Sequence, residues 1–212
     1  VSGRPLEEWL DVDRDLFADL FTRYYCLYEP ELSWVAEQDG EVVGYLQGCA
    51  DTRRYLLAML SSILPRLLGR VLIGRYAVGR RTRRMLRLLV WDAVRGRLGR
   101  LPWREYPAHF HINLAAGARD TWWTAETLIR RFQVALLRRG IRKFHIQMLS
   151  HRANLRRKLE RRGFTVWSMS QVSFRPPHRG RPAHFATLVR EFHGAGDAVT
   201  TRVDRGMRRR KS

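Results

Sequence analysis

YPAHFHINLAAGARDTWWTAETLIRRFQVALLRRGIRKFHIQMLSHRANLRRKLERRGF, residues 106–164, decides the fold. Residues 106–114 read as a strand. Alternation sets His109, His111 and Asn113 on one face and Phe110, Ile112 and Leu114 on the other. AAGARDTWW reads as a loop. Residues 124–140 read as an amphipathic helix closed by Gly140. A second strand is predicted over 141–149. A helix follows over 150–163, capped by Ser150 and stopped by Gly163. Residues 164–175 form a third strand, ended by Pro176-Pro177. Strand and helix in alternation imply a mixed α/β domain. The same order gathers loops and helix N-termini at one sheet edge, where anionic ligands commonly bind.

Upstream, residues 5–28 carry Leu6, Trp9, Leu10, Leu16, Phe17, Leu20 and Phe21 near helical spacing, with acidic residues on the other face. Tyr24, Tyr25 and Tyr28 end that helix before Glu29-Pro30-Glu31 breaks it. SWVAEQDGEVVGYLQGC then reads as an antiparallel hairpin, with strands at 33–37 and 41–49 and Asp39-Gly40 at the tip. Residues 52–104 form an Arg-rich helical insert of two or three short helices. A weaker strand is predicted at 183–190, and a flexible basic tail from 194 to 212. The expected organisation is one domain over 1–193 followed by that tail.

The chain has 212 residues and a net charge of +20. Residues 1–51 hold 12 acidic and 3 basic residues; residues 52–212 hold 8 acidic and 37 basic. A basic body fits nucleic acid, an anionic membrane or a phosphate-bearing cofactor. Lysine occurs only at 143, 158 and 211, so 37 of the 40 basic residues are arginine. An arginine-favouring genome produces the same skew, so charge alone names no partner. Nucleic acid is not the favoured reading. The longest apolar run, 54–79, is interrupted by Arg66 and Arg70 and has Pro65 near its middle, which argues against a spanning helix. Burial in a helical subdomain is expected, with an amphipathic membrane-contacting or dimerising helix pair as the alternative. The polar, acidic start does not read as a secretory leader. Cys26 and Cys49 cannot build a disulfide framework, so a reducing cytoplasm is the expected setting.

The series from YPAHFHINL through GIRKFHIQML to SHRANLRRKLERRGF resembles the core of the GNAT superfamily of acyl-CoA-dependent N-acyltransferases. Together with SWVAEQDGEVVGYL, it is most similar to the bacterial group related to the acetyltransferase-like domain of O-GlcNAcase. The resemblance covers about residues 5–175. It implies an α/β (α+β) fold: a mixed, mainly antiparallel sheet with a splayed central strand, flanking helices and a helical insertion between strands 3 and 4. It implies acetyl transfer from acetyl-CoA to a primary amine, on a small molecule or a lysine. The sequence leaves monomer and homodimer both open.

By that resemblance, the backbone of Ile112 and Leu114, with Asn113 between them, would meet the pantetheine arm. Arg119, Thr121, Trp122, Trp123 and Thr124 would lie at the pyrophosphate, and Asn154 would add a contact. The chain departs from the family twice. The phosphate loop normally reads Arg/Gln-x-x-Gly-x-Gly/Ala, and neither frame starting at Arg119 or Asp120 restores the first glycine. Either the loop takes another conformation, or coenzyme A binding is weakened or lost. Leu159 stands where the family often has a Tyr that protonates the leaving thiolate; Ser150 and His151 are the nearest alternative acids. His111 and His109 are the general-base candidates, because an imidazole suits deprotonation of an ammonium. Tyr25, Tyr28, Glu29 and Glu31 would wall a cationic acceptor. His109, His111 and His145 have no carboxylate or Cys beside them in the motif, so no metal is expected. A degenerate domain of the same fold, binding without chemistry, is the runner-up.

Overall fold

A computed structural model describes residues 13–115, 119–150, 160, 163–174 and 180–194. Helix α1 (Arg14–Tyr28) begins at Asp13, whose carboxylate accepts from the N–H groups of Asp15 and Leu16 at 2.9 and 3.3 Å. A short 3-10 turn, Pro30–Leu32, leads into strands β1 (Ser33–Gln38) and β2 (Glu41–Cys49). Asp39 and Gly40 both have positive φ, 53° and 81°, the backbone of a two-residue hairpin turn that follows the strand twist.

The insert begins with α2 (Thr52–Ala58), capped by the Asp51 carboxylate. A π turn over Met59–Ile63 joins it to α3 (Leu64–Leu72). Pro65 does not break this rod. It stands in the first turn of α3, and the displaced bonds of the π turn absorb its missing N–H. Helix α4 (Arg80–Val94) completes the insert. Its Asp92 is fully buried and accepts from the Ser173 and Phe174 N–H groups at 2.5 and 3.1 Å and from Arg97 at 3.2 Å. Burial alone would raise the Asp92 pKa, but these donors outweigh it and hold the carboxyl below its usual value.

Then come β3 (Ala108–Leu114), α5 (Thr121–Leu137), β4 (Lys143–Ser150), β5 (Thr165–Val172) and β6 (Ala183–Glu191). The strands that the resemblance numbers 3 and 4 are β2 and β3 here. The six strands lie in the order β1-β2-β3-β4-β6-β5, antiparallel except for β3 beside β4. The segment expected to be a weaker strand is thus interior to the sheet. Helix α5 starts at Thr121, three residues before the expected 124, so Trp122 and Trp123 are helical rather than loop. No glycine separates Asp120 from the helix to hold it open.

Phe110, Phe144, Leu46 and Leu188 pack with Phe132 and Leu136 of α5 on one sheet face. An added Cβ at Gly48 would overlap the Phe132 ring, so glycine there lets α5 close on β2. On the other face, Tyr24, Tyr25 and Cys49 pack with Met59, Ile63 and Leu67 of the rod, while Met85, Leu88 and Leu89 of α4 cover Val172 and Ala183. Lys143 lies 3.5 Å from Glu105 and 3.6 Å from Glu191.

Candidate active site

β3 and β4 are registered over only two residue pairs, Ala108 with Phe144 and His109 with His145. Beyond them the strands part. β3 stays paired to β2 as far as Leu114, and β4 follows β6 as far as Ser150. The Ala115 N–H donates to the Val43 carbonyl at 2.8 Å. Hydrogen-bonded pairs alternate along an antiparallel ladder, so the backbone groups of Asn113, His111 and His109 also face β2. Those of Ile112 and Leu114 therefore point the other way, into the gap beside β4.

The side chains obey the complementary alternation. Tyr45, Gln47 and Cys49 of β2 stand opposite Asn113, His111 and His109, on the face that the rod covers. The Asn113 side-chain amide donates to the Tyr45 hydroxyl at 2.7 Å. His109 is buried and held at both nitrogens. Its Nδ1 lies 2.7 Å from Thr52 Oγ1, which itself lies 2.6 Å from the Pro107 carbonyl. A carbonyl only accepts, so the Thr52 proton goes to Pro107 and His109 donates from Nδ1. His109 Nε2 then accepts the Tyr25 hydroxyl at 2.9 Å. Burial pushes the Tyr25 pKa well above its ordinary value, which keeps that proton in place. His109 has no lone pair left for a substrate proton.

His145 donates from Nδ1 to the Tyr106 carbonyl at 2.8 Å and is buried. Its ring centroid lies 5.5 Å from that of His109. His111 is half-buried, with ring centroids of Tyr25 and His109 at 5.7 and 6.1 Å. Among the described residues, no hydrogen bond fixes its ring nitrogens. Burial lowers the pKa of all three imidazoles, and His145 lowers those of His109 and His111 further. His111 is therefore a neutral base at pH 7. Among the described residues, no three His, Cys, Asp or Glu side chains are grouped to hold a metal.

At the predicted phosphate loop, Asp120 precedes α5 with φ 49° and ψ 43°, and its side chain makes no capping bond. This is the left-handed conformation that glycine adopts freely, carried here by an aspartate. Arg119 is ion-paired with Asp39, and its carbonyl accepts from Gln38 at 2.9 Å. Trp123 is 69% exposed and Trp122 38%, so neither is a core residue. Thr121 and Thr124 lie in the first turn of α5. The gap edge presents the peptide groups of Ile112 and Leu114, and the turn before α5 carries the Asp120 carboxylate.

The expected acceptor wall is largely committed to the fold. Glu29 is buried, accepting from the Tyr24 hydroxyl at 3.1 Å and the Ala50 N–H at 3.0 Å. Tyr28 stacks on Tyr24, with centroids 5.1 Å apart. Glu31 pairs with Arg139 at 2.9 Å. His151, Asn154 and Leu159 lie outside the described residues. Thr52, Gln47 and Tyr45 were missed from sequence. The hairpin's alternation, laid against that of 108–114, was the signal that could have found the last two.

No family model and no curated protein matches the sequence. Solved structures similar to the chain include SsHAT, with a TM-score of 0.59 and 26% identity, covering 89% of this chain and 86% of that one. An agmatine N-acetyltransferase in its apo form has a TM-score of 0.49 and 13% identity, covering 80% and 79%. The polyamine N acetyltransferase of Drosophila melanogaster has a TM-score of 0.47 and 12% identity, covering 80% and 79%. The single parallel seam that opens after two residue pairs, in a six-strand sheet backed by α5, is the arrangement the sequence resemblance implied. The chain therefore has the fold of the GNAT superfamily.

Proposed function

We propose that the chain transfers an acetyl group from acetyl-CoA to a primary amine, on a small molecule or a lysine side chain. The observation that carries this is the parted seam, with the Ile112 and Leu114 backbone facing the gap and a neutral His111 on the adjoining β3 face. The thioester supplies an activated acyl carbon. His111 takes one proton from the ammonium, which lets the nitrogen form the new C–N bond as the C–S bond breaks. The second amine proton goes to the leaving thiolate, and the His111 proton to solvent. Holding the reactants together supplies much of the rate, so few side chains are required. Tyr25, Thr52 and His109 act through position, keeping the imidazole face rigid.

A second reading is a binding module without chemistry. The unglycined loop with Asp120 at its left-handed position favours it. Calorimetric titration with acetyl-CoA, followed by thiol release with a broad amine panel, separates the two. Saturable binding with thiol release is expected, and His111→Gln should lower kcat by about 10²–10⁴ while leaving coenzyme A affinity within about twofold. Binding without thiol release from any amine gives the second reading. No binding and no release removes the first.

A further inference from the structure

We propose that the α2–α3 rod docks the protein onto an anionic lipid bilayer. An ordinary surface helix carries one apolar stripe, turned inward. This rod carries two. Met59, Ile63 and Leu67 face Tyr24 and Tyr25 of the domain. Leu57, Leu60, Leu64, Leu68 and Leu72 follow one another three or four residues apart, and are 57, 66, 38, 59 and 77% exposed. At 1.5 Å per residue, this outer ridge runs about 22 Å. A continuous exposed apolar patch of this kind marks an interaction surface.

Charge selects the occupant. The 40 residues from Thr52 to Trp91 contain ten arginines and no aspartate or glutamate. Arg53, Arg54, Arg66 and Arg75 are exposed along and beyond the ridge, while Arg70 turns inward to Asp19 at 2.8 Å. A second copy laid on the ridge would set arginine against arginine. An anionic bilayer offers an apolar layer and a negative layer together, at the depths such a helix needs. Helix α4 repeats the chemistry: Leu86, Val90, Trp91 and Val94 are exposed, and the Arg95 guanidinium sits 4.0 Å over the Trp91 ring.

The 21-residue rod is long and apolar enough to cross a membrane by length and composition. Its attachments say otherwise. Thr52 bonds to His109 and Pro107, Arg70 to Asp19, and the inner stripe packs on α1. The rod thus lies along the interface, with the domain behind it.

The test is cosedimentation of the full chain with vesicles of phosphatidylcholine alone or with one quarter phosphatidylglycerol. At least tenfold tighter binding to the anionic vesicles is expected, weakening several-fold as salt rises to about 0.5 M. The Leu60→Glu/Leu64→Glu variant should lose at least tenfold while keeping its circular dichroism and Tm. If that variant unfolds, Leu72→Glu, at the far end of the rod, decides in its place. Absence of binding to anionic vesicles overturns the proposal. So does binding unchanged in the glutamate variants, or a dimer seen by light scattering that those variants dissolve.

Discussion

Three buried or half-buried imidazoles whose protonation is opposed by their surroundings give the fold a pH dependence with a definite sign. Each has a folded pKa below its ordinary value near 6.5, so the unfolded chain binds more protons as pH falls through that region. Stability is full above about pH 6.5 and declines on acidification toward the depressed folded values. Thermal melts from pH 8 to 5 should show Tm flat at first and then falling, and His145→Gln should flatten the fall. A Tm that rises on acidification would contradict the burial of these rings. That His109, His111 and Asn113 share a face was legible in the alternation of AHFHINL. Which imidazole keeps a lone pair was not. The groups that engage His109 come from Tyr25 and Thr52, 84 and 57 residues away, and local periodicity cannot report a hydrogen bond across that distance.

Among the elements, legibility followed the strength of the local signal. The Asp39-Gly40 tip placed the hairpin, because few dipeptides hold two positive φ angles. The start of α5 was misplaced, since the family loop was expected to extend through Trp122-Trp123 and nothing in those residues opposes a helix. The insert reads as two or three short helices and folds as the rod and α4, while the π turn that carries the rod past Pro65 has no sequence signature. The junction before α5 also carries a prediction. Asp120 pays for a left-handed backbone that glycine adopts freely, and brings negative charge to the first turn of α5. Asp120→Gly should stabilise the fold by about 1 kcal/mol and tighten coenzyme A binding by several-fold. Calorimetric titration of both proteins reads the affinity, and unchanged affinity would show that the phosphates lie elsewhere.

At the scale of the whole molecule, the sheet is two halves, β1-β2-β3 and β4-β6-β5, stitched by two residue pairs and covered by α5 on one side and the insert on the other. The parity of β3 then predicts an alternating exchange pattern. Amides of His111 and Asn113 face β2 and should exchange slowly, while those of Ile112 and Leu114 face the gap and should exchange faster. Acetyl-CoA should slow the second pair by at least tenfold and leave the first nearly unchanged. Hydrogen exchange read by NMR checks this, and uniform protection along β3 without ligand would mean the seam is closed. The basic character of this body is almost wholly guanidinium. Of the three lysines, Lys143 is held between Glu105 and Glu191, and 158 and 211 lie outside the described residues. If the proposed acetyl transfer holds, a body built this way offers its own reagent few nucleophiles, so self-labelling would be confined to a handful of sites and its cationic surface would outlast turnover.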